Sequence, residues 1–458
     1  MLRRNIILCA CFLVMNRYLR HYKALASLGI PIIIGQVGTI VLGVADTVMI
    51  GHHSTEELAG AAFVNSIFVL GLLVCLGFSN AITPMVSNLF GQGNESRIGE
   101  VLRNAIAANM LMGLFVTGVL FLTYCFIDRL GQPQNLIPVM RPYFAINMIS
   151  IPFACCFNVM KQLFDGITHT RVPMWTMIGG VAINIIGNYL LIYGMCGFPE
   201  MGLTGAGIAT LISRMLMMVA LACVFFLGKR YGEVRKGLFA GKMNKSDFRR
   251  LWSMGIPLAA QLGMETAAFS LSGVMVGWIG MVSLAAHQVM LTISQFFYLI
   301  YFGMAAAISV RVGYFSGQGD HVAMKDNVVA GFRLIMLIAF CLSVPTVVFG
   351  RDLIGLFTDN EEVGLLASSC IAPLIAYQFG DGLQYTYSNA LRGIGRVKPL
   401  MTVAFVAYFM VSLPVGYMLG IRMGMGLAGI WWAFPLGLTG AGVAFRHLFN
   451  STLSSSQH

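Results

Sequence analysis

The sequence predicts an all-α membrane protein with twelve transmembrane helices, in two six-helix bundles related by a pseudo-two-fold axis along the membrane normal. Three observations predict it: a composition poor in charge, a series of apolar runs of spanning length, and landmarks that recur at a fixed offset. Of 458 residues, 57% are hydrophobic and 10% charged, with a mean hydropathy of +0.79, whereas soluble domains carry about 25% charged residues. A helix needs about 20 apolar residues to cross a hydrocarbon core of roughly 30 Å. The short alternating segments of a membrane barrel are not seen.

Apolar runs broken by Gly, Pro and charge place the spans at 25–50, 58–84, 101–127, 136–160, 172–195, 202–228, 252–280, 284–310, 328–350, 363–389, 400–420 and 426–448. Ahead of them, residues 1–23 form an N-terminal cytoplasmic extension. Its basic start and short apolar run resemble a signal peptide without a convincing cleavage site. The preferred reading makes Met15 the start and 1–14 an upstream segment. Between the sixth and seventh spans, "GKRYGEVRKGLFAGKMNKSDFRR" is the most polar stretch of the chain. The expected organisation is therefore a bundle at 24–228, a basic cytoplasmic linker at 229–250, a second bundle at 251–450 and a tail at 451–458.

Charge sets the orientation. The N-terminus and the even-numbered loops, with the span ends beside them, carry 24 Lys and Arg, the odd-numbered loops and their span ends carry 4, and Arg214 alone falls in the middle of a span. Basic residues collect on the cytoplasmic side, so both termini are expected there. This distribution assigns the excess of basic over acidic residues to membrane topology rather than to nucleic acid. The cysteines are scattered without a CxxC pair and suggest neither a disulfide framework nor a zinc site.

The two bundles repeat one another. "SLGIP" at 27–31 matches "SMGIP" at 253–257, "VMIG" at 48–51 matches "VMVG" at 274–277, and "GQGN" at 91–94 matches "GQGD" at 317–320. Leu58-Ala59 matches Leu284-Ala285, and "RVP" at 171–173 matches "VKP" at 397–399. Every pair is 226 positions apart. Six spans per repeat return the chain to its starting side, so the repeats are parallel, as in transporters that open a central site alternately to each side.

Three carboxylates fall inside spans, where each costs a few kcal/mol unless it faces protein or water. Asp381 shares a helix face with Tyr377, Gln384 and Ser388, a polar stripe that lines a cavity. Its neighbours Gly380 and Gly382 let the backbone approach a ligand or unwind. Glu265 has Gln261 one turn before it and Phe269 one turn after. The repeat partner of Glu265 is Thr39 and that of Asp46 is Ser272, so both first helices carry polar groups seven residues apart. In the fifth span, Asn184 and Asn188 stack amide oxygens at i and i+4. With Asp46 they offer hard oxygen ligands for sodium, or hydrogen bonds that position a protonatable carboxylate. Other polar groups read as structural: His52-His53 as a solvated loop, Asp165 with Lys161 as a surface ion pair, and the thirty methionines as adaptable packing.

"GVADTVMIG", the "GQGN"/"GQGD" pair, "AAHQV" at 285–289, "LRGIGRVKP" after Asp381 and "NIIGNYLLIYG" together resemble the multidrug and toxic compound extrusion family. The placement of Glu265, Tyr377 and Asp381 is similar to its NorM-type bacterial branch. The resemblance runs from about residue 24 to 445. It implies an antiporter, not an enzyme, that exports organic cations and amphipathic drugs from a bacterium across its inner membrane by alternating access. Sodium or protons drive it, no further cofactor is needed, and the expected state is a monomer in the lipid bilayer. By the same resemblance, Glu265, Tyr377 and Asp381 form the cation site of the second half, with sodium at Glu265 and Asp381 if that is the ion, and Gln288 nearby. Asp46, Asn184, Asn188 and Thr210 form the polar cluster of the first half. Asn188 stands where some relatives have Asp, which puts the coupling role of the first half in doubt.

The rival functions are a lipid-linked oligosaccharide flippase of the same superfamily and an ion channel. A flippase would want basic residues to meet pyrophosphate, and only Arg214 is available in the middle of a span. The sequence has no GxxxxGK[ST] for an ATP-driven pump and no HExxH for a metalloenzyme.

Overall fold

The computed structural model describes residues 2–129, 131, 133–240 and 242–455, with side chains from residue 18 to 454 within those limits. The chain folds as α1 (Leu2–His53), α2 (Thr55–Ser79, resuming at Ile82–Gly91), α3 (Glu95–Cys125), α4 (Ile137–Gly166), α5 (Arg171–Ile192) and α6 (Gly202–Leu227). After the linker come α7 (Lys245–Ile279), α8 (Met281–Gln318), α9 (His321–Val348), α10 (Glu361–Ser369 with Ile371–Gly393), α11 (Lys398–Arg422) and α12 (Gly426–Ser455). No strand occurs among the described residues. Eleven of these helices are each long and apolar enough to span a membrane, and the two pieces of α10, bent by 45°, make a twelfth when taken together. Outward faces are apolar: Phe115 and Leu122 on α3, and Phe340 and Val348 on α9, are all exposed. Such faces suit lipid rather than water.

The repeated "GQG[ND]" motif is helix punctuation. Gly93 and Gly319 both adopt φ +71°, the left-handed conformation that ends a helix and favours glycine. The next residue caps the following helix in each repeat: Asn94 accepts from the Arg97 amide at 3.2 Å, and Asp320 from the Ala323 amide at 2.8 Å.

The chain divides into two compact units, residues 34–260, and residues 1–33 together with 261–458. The divisions fall inside α1 and α7, just after Pro31 and Pro257, rather than in the linker. Glycines show why. In the unit of 1–33 and 261–458, a Cβ on Gly29 would meet Met304 Sδ at 2.5 Å, and one on Gly303 would meet Ile33 Cγ1 at 2.4 Å. The start of α1 is thereby locked to α8. In the unit of 34–260, a Cβ on Gly255 would meet Phe78 at 2.5 Å and one on Gly77 would meet the Ala259 Cα at 2.6 Å, locking the start of α7 to α2. Each of these four contacts has its counterpart 226 positions away, so the internal repeat is kept down to single glycines.

Two structural expectations change. Lys161 and Asp165 are not a surface pair, because both are buried within α4. His53 is not in a solvated loop: it closes α1, with Nδ1 2.7 Å from Glu57 Oε2 and Nε2 2.9 Å from Glu200 Oε1. A neutral imidazole carries one N–H, so bonding both carboxylates requires an additional proton on the ring or on a carboxyl group. Tyr193, one turn past Tyr189 on the same stretch, packs edge-on against the ring.

Candidate functional site

Each unit encloses one polar cluster. In the unit of 34–260, Gly187 on α5 meets Ala209 on α6 at 3.0 Å from where a Cβ would stand. That approach lets the neighbouring polar residues touch. Asn188 Nδ2 donates to Asp46 Oδ1 at 2.6 Å and to Asn184 Oδ1 at 3.3 Å. Asn184 Nδ2 donates to Thr210 Oγ1 at 3.2 Å, and Thr210 Oγ1 donates to Asp46 Oδ2 at 3.3 Å. All four side chains are buried, and the Asn188 Oδ1 atom has no hydrogen-bond partner. The result is a ring of carboxylate, amide and hydroxyl oxygens on three helices, a donor set that suits a small hard cation.

Around this ring stand groups that sequence reading missed. Tyr143 OH donates to Asn65 Oδ1 at 3.1 Å. Arg214, one turn beyond Thr210, donates to Ser150 Oγ at 2.5 Å and lies 5.1 Å over the Phe68 ring. Arg214 was visible as the lone basic residue in the middle of a span, but its partners on α4 and α2 depend on tertiary packing.

In the unit of 1–33 and 261–458, Glu265 of α7 and Asp381 of α10 are both buried. Tyr385 OH donates to Glu265 Oε1 at 2.9 Å. Asp381 is 1% exposed, and neither of its carboxylate oxygens has a hydrogen-bond partner. A buried carboxylate in that state is costly unless a proton or cation neutralises it. Gly380 and Gly382 create the burial: a Cβ on the first would meet Thr439 Oγ1 at 2.9 Å, and on the second Met336 Cε at 2.7 Å. The helix does not unwind here, since Ile371–Gly393 is continuous. The glycines instead admit α12 and α9 on either side of the aspartate.

Aromatic rings close the cluster. Phe269 stacks on Phe434 at 4.8 Å and meets Tyr377 edge-on at 6.2 Å, and Tyr377 in turn meets Trp431 at 6.2 Å. Gln384 Nε2 donates to Tyr408 OH at 3.4 Å. Tyr408 comes from a π-helical stretch of α11, Val406–Ser412, a geometry frequent at functional sites. Tyr385 lies one turn from Asp381 and falls on the stripe that begins at Tyr377, so periodicity could have found it. Tyr408 carries no such signal.

The structure therefore brings together Asp46, Asn184, Asn188 and Thr210 in one unit, and gathers Glu265, Tyr377 and Asp381 in the other. Gln288 is exposed, unlike the buried carboxylates. Thr39, the repeat partner of Glu265, is exposed too, whereas Ser272, partner of Asp46, is buried.

Comparison with known proteins then fixes the family. The MatE family model matches residues 31–190 and 257–418, one match per half of the chain. The chain belongs to the MatE family. Among curated proteins, "Multidrug resistance protein MdtK" of Cronobacter sakazakii (strain ATCC BAA-894) is 31% identical over 440 residues, covering 94% of this chain and 95% of the relative. Solved MATE structures share the two-lobed fold. An outward-facing multidrug resistance MATE transporter of the MOP superfamily matches with a TM-score of 0.86 at 17% identity, covering 95% of this chain and 96% of that one. The eukaryotic MATE transporter AtDTX14 matches with a TM-score of 0.83 at 18% identity, covering 96% and 98%. Members of the MatE family are transporters, so this multi-pass chain is not an enzyme.

Replacing Tyr385 by Phe removes the hydroxyl that donates to Glu265 while keeping the ring. Hydrogen bonds to charged groups contribute about 1.5–3 kcal/mol. Transport by Tyr385→Phe should fall by roughly 10- to 100-fold, with membrane expression close to wild type. Initial rates of dye efflux, normalised to protein by immunoblot, check this.

Proposed function

We propose that this MatE chain is a secondary multidrug antiporter that exports organic cations and amphipathic drugs in exchange for sodium ions or protons. The observation that carries the reading is Asp381, a carboxylate sealed among aromatic rings with neither oxygen bonded to protein. Such a group must be neutralised, and three occupants qualify: a proton, an inorganic cation or a cationic drug. They compete for one negative charge. An inorganic ion that neutralises Asp381 and Glu265 displaces the drug, and an arriving drug cation displaces the ion. A difference of ~1–3 kcal/mol between two conformational states gives a 5- to 150-fold coupling.

The relative's name as a multidrug resistance protein supports drugs as the cargo. Flat, polarisable faces of Phe269, Tyr377, Trp431 and Phe434 beside two carboxylates suit organic cations of varied shape. In the other unit, Asp46, Asn184, Asn188 and Thr210 would hold a second coupling cation through their oxygens. The bias of basic residues supports both termini on the cytoplasmic side of a bacterial inner membrane, and one chain carries both clusters, so a monomer suffices.

Vesicles containing the purified protein test the reading. A sodium gradient or a proton gradient, imposed alone, should drive a fluorescent organic cation uphill, with a rate that saturates in dye. Ohmic current without saturable dye movement would mean a channel, and movement of a lipid-linked oligosaccharide without dye would mean a flippase.

A further inference from the structure

The linker between α6 and α7 joins two membrane-spanning helices, so residues 228–240 and 242–244 lie at the bilayer surface. It is not a slack tether. Its short helix Gly232–Phe239 crosses α3 at a glycine pair: a Cβ on Gly237 would stand 1.8 Å from the Ser96 carbonyl oxygen, and one on Gly99 2.0 Å from that of Val234. Arg103 of α3 donates from Nε to the Leu238 carbonyl and from Nη2 to the Gly237 carbonyl, both at 2.7 Å. The Asn244 amide donates to Asn104 Oδ1 at 3.2 Å. At the other end, Tyr231 OH and His169 Nδ1 are 3.0 Å apart. Burial pushes the Tyr231 hydroxyl up from its ordinary pKa, and burial with the nearby Arg230 pushes His169 down, so at neutral pH the phenol donates to a neutral ring.

This anchoring fixes which face looks outward. Val234 and Gly237 are buried against α3, while Glu233, Lys236 and Phe239 share the exposed face. The two acids of the segment are already engaged: Glu233 with Lys236 at 2.7 Å, and Asp247 with Arg97 at 2.8 Å. Among the described residues, no carboxylate pairs with the exposed Lys229, Arg230, Lys242, Lys245, Arg249 or Arg250. Three large apolar side chains stand among them, Leu227 at 80%, Phe239 at 73% and Met243 at 54% exposure.

From this arrangement we propose that the linker face is a docking surface for anionic phospholipid, its basic residues meeting headgroup phosphates while Leu227, Phe239 and Met243 enter the acyl boundary. A rigid surface with uncompensated positive charge beside apolar side chains is the combination that binds an anionic bilayer interface. The glycine crossing holds the short helix against α3, and Lys245, Arg249 and Arg250 stand on the first turns of α7, so the charges are carried on fixed backbone instead of averaging over a mobile loop. The phosphate belongs to a lipid rather than to a soluble anion, because the exposed apolar groups need acyl chains.

The full-length protein, equilibrated in bilayers of equal parts phosphatidylcholine and phosphatidylglycerol and extracted gently, should retain phosphatidylglycerol in at least about fivefold excess. Lys242→Gln, Lys245→Gln, Arg249→Gln and Arg250→Gln combined should bring the ratio near one. The charge-conserving set Lys242→Arg, Lys245→Arg, Arg249→Lys and Arg250→Lys should keep it. Wild type alone gives an independent reading, since raising salt from about 0.1 to about 0.5 M should reduce the excess. An excess that is indifferent to salt, or unchanged in the glutamine set, would overturn the proposal. So would its displacement by inorganic phosphate at constant ionic strength, which would mark a soluble-anion site.

Discussion

Asp381→Asn should abolish the export of organic cations while leaving the protein folded in the membrane. Asparagine has nearly the same shape, and the glycines on either side still admit α9 and α12, so packing is kept. What disappears is the negative charge for which, in the proposed exchange, the drug and the coupling ion compete. Removing one partner of a buried charge pair costs about 2–5 kcal/mol, which corresponds to a loss of roughly 30-fold or more. Glu265→Gln should act in the same direction but less, because Tyr385 OH still has an oxygen to bond. Resistance of cells to a cationic dye, with expression measured alongside, checks both substitutions. A variant that protected as well as wild type would remove that residue from the exchange.

The second large effect concerns architecture. Gly77→Val and Gly303→Val should each prevent accumulation of folded protein. At Gly77 the obstacle is the Ala259 backbone, its Cα 2.6 Å from the new Cβ, and at Gly303 it is Ile33, with its amide nitrogen 3.0 Å away. Backbone cannot swing aside as a side chain does. Overpacking of this kind costs about 1–3 kcal/mol or more, and here it would separate the start of α7 from α2, or the start of α1 from α8. Gly118→Ala, with nothing within 4 Å of its added carbon, is the matched control and should behave as wild type. Monodisperse yield in detergent and thermal unfolding separate the two classes. Equal yields of Gly77→Val and Gly118→Ala would show that the glycine contact does not hold the unit together.

What was legible in the sequence follows from what the bilayer demands locally. An apolar run of spanning length must be a helix, so the twelve segments could be read directly, and a carboxylate inside one must turn inward, as Asp46, Glu265 and Asp381 do. The 226-residue offset was readable for the same reason: both halves solve the same local problems, down to Gly93 with Asn94 and Gly319 with Asp320. Long-range partners were not legible. His53 meets Glu200 from 147 positions away, and nothing in "GHHS" announces that encounter. Lys161 and Asp165 look like a surface pair at i and i+4, yet the helices packed around α4 bury them. Tyr408 reaches Gln384 because α11 takes a π-helical turn, which no periodicity of 3.6 residues encodes. Gly380 and Gly382 suggested a backbone that approaches a ligand or unwinds; the helix does not unwind, and the glycines make room for two neighbouring helices. The unit boundaries inside α1 and α7 belong to the same class, since the contacts that set them join residues hundreds of positions apart.

The exchange of a drug cation with an inorganic one on the same carboxylates is tested most directly by equilibrium binding of a fluorescent organic cation to the purified protein. Binding should weaken by roughly 5- to 150-fold as the coupling ion is added, either as pH falls or as sodium rises, and the competition should vanish in Asp381→Asn. Dye affinity indifferent both to pH and to sodium in the wild-type protein would contradict the account.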